Sequence, residues 1–181
     1  MRRGFIEACL RSLLVSVEQA GLGAAFEILV MDGGSTDETA AIVGRMSAQV
    51  PAIRLCANPG RLQSAAVNLA AEIADPRARI LMRADAHALY PANFVGDCMA
   101  ALRDQDASSV VVPMINRGVT PIQRAIAAAQ SGRLGNGGSA HRTAGASCFV
   151  DHGHHAAFDR AVFQRLGGYD TRFTHNEDAE F

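Results

Sequence analysis

Apolar positions along this chain recur at two spacings, one helical and one strand-like, and the two alternate. In "FIEACLRSLLVSVEQ", residues 5–19, the side chains of Ile6, Cys9, Leu10, Leu13 and Val17 fall on one helical face, and Gly21 supplies a stop. "FEILVM", apolar except for Glu27, is of strand length and reads as a buried strand. After it, "STDE" sets Ser35 and Glu38 at capping-box spacing, which predicts a helix through "TAAIVGRMSAQ". Short strands are expected at "AIRLCA", "RILMRA" and "SVVVPM". Helical stretches "RLQSAAVNLAAEIA" and "YPANFVGDCMAALRD" separate them, and Pro91 suits a first-turn position in the second. "TPIQRAIAAAQ" predicts a further helix with Thr120 as its cap and Pro121 behind it. Strands alternating with helices of this length argue for an α/β fold with a mainly parallel central sheet.

One long segment breaks the alternation. Residues 132–147, "GRLGNGGSAHRTAGAS", are poor in hydrophobic side chains, and a loop of that length inside a compact domain is usually functional or mobile. No internal repeat and no second domain are evident, so residues 1–181 read as a single domain. An α/β sheet normally begins with a strand, whereas this chain begins with a helix and ends on "NEDAEF" with nothing after it to pack. The expectation is a fragment of a longer protein, lacking a first strand.

Composition narrows the function classes. With 181 residues, 49% of them hydrophobic and 19% charged, the chain can bury a substantial core and is too apolar for disorder. A formal net charge of -1 gives no electrostatic argument for a nucleic-acid partner or for an anionic membrane. No apolar run approaches the roughly 20 residues needed to cross a bilayer. The N-terminal "MRRGFIEACLRSLL" imitates a signal peptide, but Glu7 and Arg11 interrupt its apolar stretch and no small-residue cleavage site follows. Cys9, Cys56, Cys98 and Cys148 are scattered among apolar neighbours with no C-x-x-C pair, as expected of reduced core thiols in a cytosolic protein.

Ligands of parallel α/β sheets bind outside the carboxyl ends of the strands. Three such ends are polar here: "DGGSTD" after "FEILVM", "PGR" after "AIRLCAN", and "DAH" after "RILMRA". If the last segment is extended, Asp85 and His87 point to the same side and can converge on one point. A carboxylate and an imidazole can ligate a divalent cation while leaving positions for substrate phosphates. The competing reading is that Asp85 caps the next helix and His87 only packs. "DGGSTD" has glycines before a helix N-terminus, the setting of an anion site. It lacks the Gly-Lys-Ser/Thr of a Walker A loop, and Gly34 stands where an aspartyl phosphatase carries its second Asp. "GLGAAF" loses its third glycine and precedes a strand, which disfavours a nucleotide-dependent oxidoreductase. A tight turn accounts for Gly34 and Ser35, but not for Asp32 at a strand end.

The ordered run "VMDGGSTDET", "NPGRLQSAAVNLA", "RADAHALYP", "VDHGHHAAF", "GGYD" and "NEDAEF" resembles the family 2 inverting glycosyltransferases of GT-A fold. Within them it is most similar to the succinoglycan-biosynthesis, ExoA-like glucosyltransferases. The resemblance implies a Rossmann-like nucleotide-diphospho-sugar transferase. Asp32 would accept a hydrogen bond from uracil, Gly34 would line the nucleotide loop, and Arg61 would meet the base or a phosphate. Asp85 and His87 take the place of the family's D-x-D, where Mn²⁺ or Mg²⁺ bridges protein and diphosphate. His in place of the second Asp gives a softer, less anionic donor set, tilting preference toward Mn²⁺. Asp178 falls on the "ED" position, the catalytic base that takes the acceptor proton, with Glu177 beside it. The same "NED" also suits a helix N-terminus, and the two readings are compatible.

"DHGHH" invites a structural zinc site through His152 and His154, with His141 or His175 in reserve, but no Cys lies close by. The resemblance instead puts this segment on the acceptor side, with His154 or His155 reaching a sugar hydroxyl or the diphosphate. Arg160 and "GGYD" read as structural, with Gly167 as helix stop and Tyr169 packing over the site floor. The implied partners are a UDP-sugar donor, a UDP-hexose such as UDP-glucose, and a saccharide or lipid-linked saccharide acceptor. The implied place is the cytoplasm, at the inner membrane face. The family's P-x-x-N-E-type first-strand segment and everything after the "ED" motif are missing from these residues. The alternative is therefore a truncated GT-A module that binds nucleotide or a partner without turnover.

Overall fold

A computed structural model describes residues 5–116, 118, 120–131 and 154–173 of the chain. The elements are α1 (Phe5–Gln19), β1 (Ile28–Asp32), α2 (Thr39–Gln49), β2 (Ile53–Ala57), α3 (Gln63–Ile73), β3 (Ile80–Met82), α4 (Phe94–Asp104), β4 (Ser109–Val111), α5 (Pro121–Ser131), β5 (His155–Asp159) and α6 (Arg160–Arg165). They form two compact units, Met1–Val110 with Ala156–Phe181, and Val111–His155.

In the first unit the amphipathic stripe of α1 does what its spacing predicts. Ile6, Cys9, Leu10, Leu13 and Val17 are buried, and Gly21 ends the helix region with φ at 69°. Ile6 and Leu10 pack with Ile42, Val43 and Met46 of α2 and with Ile53 of β2. β1 and β2 pair in parallel, from Ile28 opposite Ile53 to Asp32 opposite Ala57. A second cluster joins Ala71 of α3 to Phe158, Phe163 and Tyr169, with Val67 and Leu81 against it. Its aromatic rings meet at tilted or edge-on angles, with centroids 5.1–6.0 Å apart.

The described strands form two sheets, one of them the parallel pair β1-β2. β5 runs antiparallel to β3, with Leu81 opposite Phe158, and the strand order there is β3-β5-β4. The α/β class holds, with a parallel pair present, but the architecture is mixed. β1 is half-buried along its length rather than fully enclosed.

Helix starts also differ from the pattern. The Ser35–Glu38 capping box does not form, because α2 begins at Thr39 and the Ser35 amide donates instead to the Asp32 carboxylate at 3.1 and 3.2 Å. Asp37 takes the Thr39 amide at 3.0 Å, and the Thr39 side chain first and this amide second hold its carboxyl below the usual aspartate range. Pro91 lies ahead of α4 rather than in its first turn, and its carbonyl accepts the Phe94 amide at 3.0 Å. One N-terminal amide of α4, and one amide of the segment before it, are served from another helix. Val95 donates to Ser16 Oγ of α1 at 2.8 Å, and the Tyr90 amide donates to Ser12 Oγ at 3.1 Å.

In the second unit a reciprocal capping box stands at the start of α5. Thr120 Oγ1 accepts the Gln123 amide at 3.2 Å, and Gln123 Oε1 accepts the Thr120 amide at 3.1 Å. Pro121 fills the first helical position, as its lack of an amide proton favours.

Candidate functional site

The carboxyl ends of β1, β2 and β3 carry the polar side chains that the sequence singles out. Asp32 closes β1, half-buried, and its carbonyl accepts the Asn58 amide at 2.8 Å beyond β2. Its carboxylate folds back onto the Ser35 amide, so the loop 32–35 is a closed turn with Gly34 at φ 93°. Arg61 faces that loop. A Cβ on Gly33 would stand 3.5 Å from Arg61 Cα, and one on Gly34 would stand 3.8 Å from the Arg61 guanidinium. Arg61 is exposed and adopts φ 56°, a left-handed conformation that costs a non-glycine residue about 1–2 kcal/mol. Asn58 sustains it: its carbonyl accepts the Arg61 amide at 3.1 Å, and its Nδ2 donates to the Leu62 carbonyl at 3.0 Å.

The third strand end is built differently from the extended segment that the spacing suggested. After β3 the chain makes a turn, closed by the Ala88 amide donating to the Asp85 carbonyl at 3.0 Å. Ala86, inside that turn, packs on the cluster of α1, α2 and β2, while Asp85 stays half-buried and His87 exposed. The Asp85 amide donates to the Tyr90 hydroxyl at 2.7 Å, and Cys9 Sγ donates to the Asp85 carbonyl at 3.5 Å. Burial pushes the Cys9 thiol up to about 11, with the Asp85 charge adding to the effect. Burial also raises the Tyr90 phenol. The Asp85 carboxylate accepts from Gln63 Nε2 at 2.9 Å through Oδ1. Gln63 and Tyr90 were not singled out in the sequence, although both sit inside segments already of interest. Their only signal was proximity to Arg61 and to Asp85.

This corner carries two donor types that a divalent ion accepts. Asp85 offers an anionic oxygen donor and His87 an imidazole, and among the described residues no group of three His, Cys, Asp or Glu could enclose an ion. Two protein ligands suit an ion whose other positions are filled by phosphate oxygens and water.

His154 and His155, half-buried, stand at the start of β5 within the second unit, where the His154 carbonyl accepts the Val112 amide at 3.1 Å. Glu177 and Asp178, and with them His141, His152, His175 and Cys148, lie outside the described residues. Arg160 has the structural role that was expected, and Tyr169 packs in the cluster with Ala71, Phe158 and Phe163. Arg160 donates to the carbonyls of Ala71, Ala74, Asp75 and Ala78, and Tyr169 is 2% exposed beneath Arg83.

The fold is that of the GT-A glycosyltransferases. The chain superposes on a mannosyltransferase from Pyrobaculum calidifontis, PcManGT, in complex with GDP-Man and Mn²⁺. The TM-score is 0.65 at 25% identity, over 98% of this chain and 47% of that one. It superposes on residues 1–349 of S. aureus TarS with a TM-score of 0.66 at 16% identity, over 98% of this chain and 50% of the other. Residues 2–167 match the family described as Glycosyl transferase family 2, and the chain belongs to that family. It is 42% identical over 153 residues to the succinoglycan biosynthesis protein ExoA of Rhizobium meliloti (strain 1021), which covers 84% of this chain and 46% of the relative. The chain thus spans about half the length of the proteins it matches. Among the described residues no helix is long and apolar enough to cross a membrane.

Proposed function

We propose that this chain is the donor-binding part of an inverting glycosyltransferase. In this reading it moves a hexose, glucose in the first instance, from a UDP-sugar to a saccharide or lipid-linked saccharide. Residues 1–181 belong to one catalytic domain, working at the cytoplasmic face of the membrane in surface-polysaccharide assembly. Supporting the last point is the 42% identity to a protein named for succinoglycan biosynthesis. The observation that carries the reading is the placing of Asp32, Arg61 and Asp85 at or just beyond the ends of β1, β2 and β3, with Gln63, two residues after Arg61, bonded to Asp85 at 2.9 Å.

Each residue then has a task. Asp32 accepts from the base, and Arg61 offers a guanidinium to the base or a phosphate. Asp85 and His87 hold Mn²⁺ or Mg²⁺, which when bound offsets charge on the departing diphosphate. Asp178 takes the proton of the acceptor hydroxyl as its oxygen bonds to the anomeric carbon. The bond from that carbon to the diphosphate oxygen breaks, its electron pair leaves with UDP, and the configuration inverts. Glu177 bonds the acceptor or the backbone in this reading. His154 and His155 face the acceptor in this reading.

The test combines donor binding with turnover in the intact enzyme. Thermal shifts with UDP and with GDP, each with Mn²⁺ or Mg²⁺, identify the nucleotide and ion. Asp178→Asn should keep the shift and lose about 10²–10⁴ in sugar transfer, the usual contribution of a general base. Asp85→Asn should lose the ion-dependent shift. Undiminished transfer by Asp178→Asn would remove the catalytic assignment, and an ion-dependent shift without turnover in the wild type would leave a binding module.

A further inference from the structure

We infer that Gln63 is a positioning residue of the donor site: it fixes the rotation of the Asp85 carboxylate for the cation. The inference rests on the reading of Asp85 given above and deepens it. The Asp85 backbone is already pinned on both sides. Its amide is held by the Tyr90 hydroxyl at 2.7 Å, and its carbonyl by the Ala88 amide at 3.0 Å and Cys9 Sγ at 3.5 Å. Those bonds hold the backbone, and Gln63 Nε2 engages the carboxylate itself at Oδ1, 2.9 Å away. A neutral amide donor suits this task. Being neutral, it orients the carboxylate without adding positive charge, whereas a lysine or arginine there would compete with the ion.

The origin of Gln63 matters as much as its contact. It is the first residue of α3, set by an extended Leu62 directly after left-handed Arg61, on a turn that Asn58 holds from both ends. The loop that presents a guanidinium to the nucleotide therefore also presents the amide that aims the carboxylate. Gln63 is itself exposed, so its side chain contributes little to the core. Its bond to Asp85 is better explained by the site than by stability.

The experiment follows Mn²⁺ binding by electron paramagnetic resonance in the presence of UDP, and in parallel GDP, on the intact protein. Wild type, Asp85→Asn, Gln63→Met and Gln63→Asn are compared, with the melting temperature of each. Gln63→Met keeps the side-chain length without the donor, and Gln63→Asn keeps the donor one methylene too short. Both should weaken Mn²⁺ binding about tenfold, as loss of an outer-shell partner typically does, with no change in melting temperature. In turnover the donor KM should rise more than kcat falls. Wild-type Mn²⁺ binding in Gln63→Met, with Asp85→Asn deficient, would overturn the role of Gln63 alone. Wild-type binding in Asp85→Asn would overturn the cation reading and this inference with it. A fall in melting temperature matching the lost affinity would assign Gln63 to folding and also overturn it.

Discussion

At the scale of single residues, the segment "GGYD" is fixed by one side chain. Asn68 on α3 accepts the Tyr169 amide at 2.9 Å and donates to the Tyr169 carbonyl at 2.7 Å, imitating a strand partner for one residue. That pairing requires close approach. A Cβ on Gly168 would fall 2.5 Å from Asn68 Oδ1, and Gly168 has φ 68°. Gly168→Ala should therefore cost about 2–3 kcal/mol, combining the left-handed backbone penalty with the disturbed bond. Asn68→Ala should cost about 2 kcal/mol, because it strands a backbone donor and acceptor together. Urea denaturation measures both, and a Gly168→Ala midpoint equal to wild type would show that the loop relaxes freely. The sequence marked Gly167 and Tyr169 but not Gly168, since only the fold brings residue 68 beside residue 169.

At the scale of elements, helix ends are settled by side chains from elsewhere in the chain. The last carbonyls of α3 lack helical partners, and Arg160, at the start of α6, donates to that of Ala71 and to those of Ala74, Asp75 and Ala78 just past the helix, over 2.7–3.3 Å. A planar fork can meet several carbonyls at once, and an ammonium cannot. Arg160→Met should destabilise by about 2–3 kcal/mol, and Arg160→Lys should recover less than half of that. Equal denaturation midpoints for the Met and wild-type proteins would refute the capping role. The same dependence on distant partners decides what was legible in the sequence. α1 was readable to its ends because five apolar side chains on one stripe need no further information. The caps of α2 and α4 were not, because Asp32 outcompetes Glu38 for the loop and Ser16 supplies α4 from across the core. β5 escaped because "HHAAFD" has no alternation, and its burial comes from pairing with β3. In the site, the residue types at the strand ends were legible. The turn at Asp85 was not, since a Tyr hydroxyl and a Cys thiol impose it.

At the scale of the whole molecule, α1 links the global core to the candidate site, and one titration reports on both. Cys9 on α1 and Cys98 on α4 are each 2% exposed, and the two helices pack together. Burial first, and then Asp85 and Asp97 respectively, push these thiols from 9.0 to about 11. Because the folded values lie above the unfolded one, their contribution is intact below pH 9.0 and is lost as pH rises through about 11. In most proteins lysine titration would obscure that window. Here all 17 basic residues are arginines, which stay charged throughout, so little besides cysteine and tyrosine can lose a proton there. Tyr90 is itself raised by burial, so its loss begins near its ordinary value of 10.0 and adds to the upper part of that window in both proteins. Stability from urea denaturation should fall steadily between pH 9 and 11 in the wild type, and more shallowly in the double variant Cys9→Ala, Cys98→Ala. Ionising Cys9 also removes the thiol proton that bonds the Asp85 carbonyl, so loosening of the Asp85 turn should accompany the fall. Amide exchange at Asp85 and Ala88 would follow that turn residue by residue. Parallel stability curves for the two proteins would mean that the buried thiols do not set the alkaline limit of this fold.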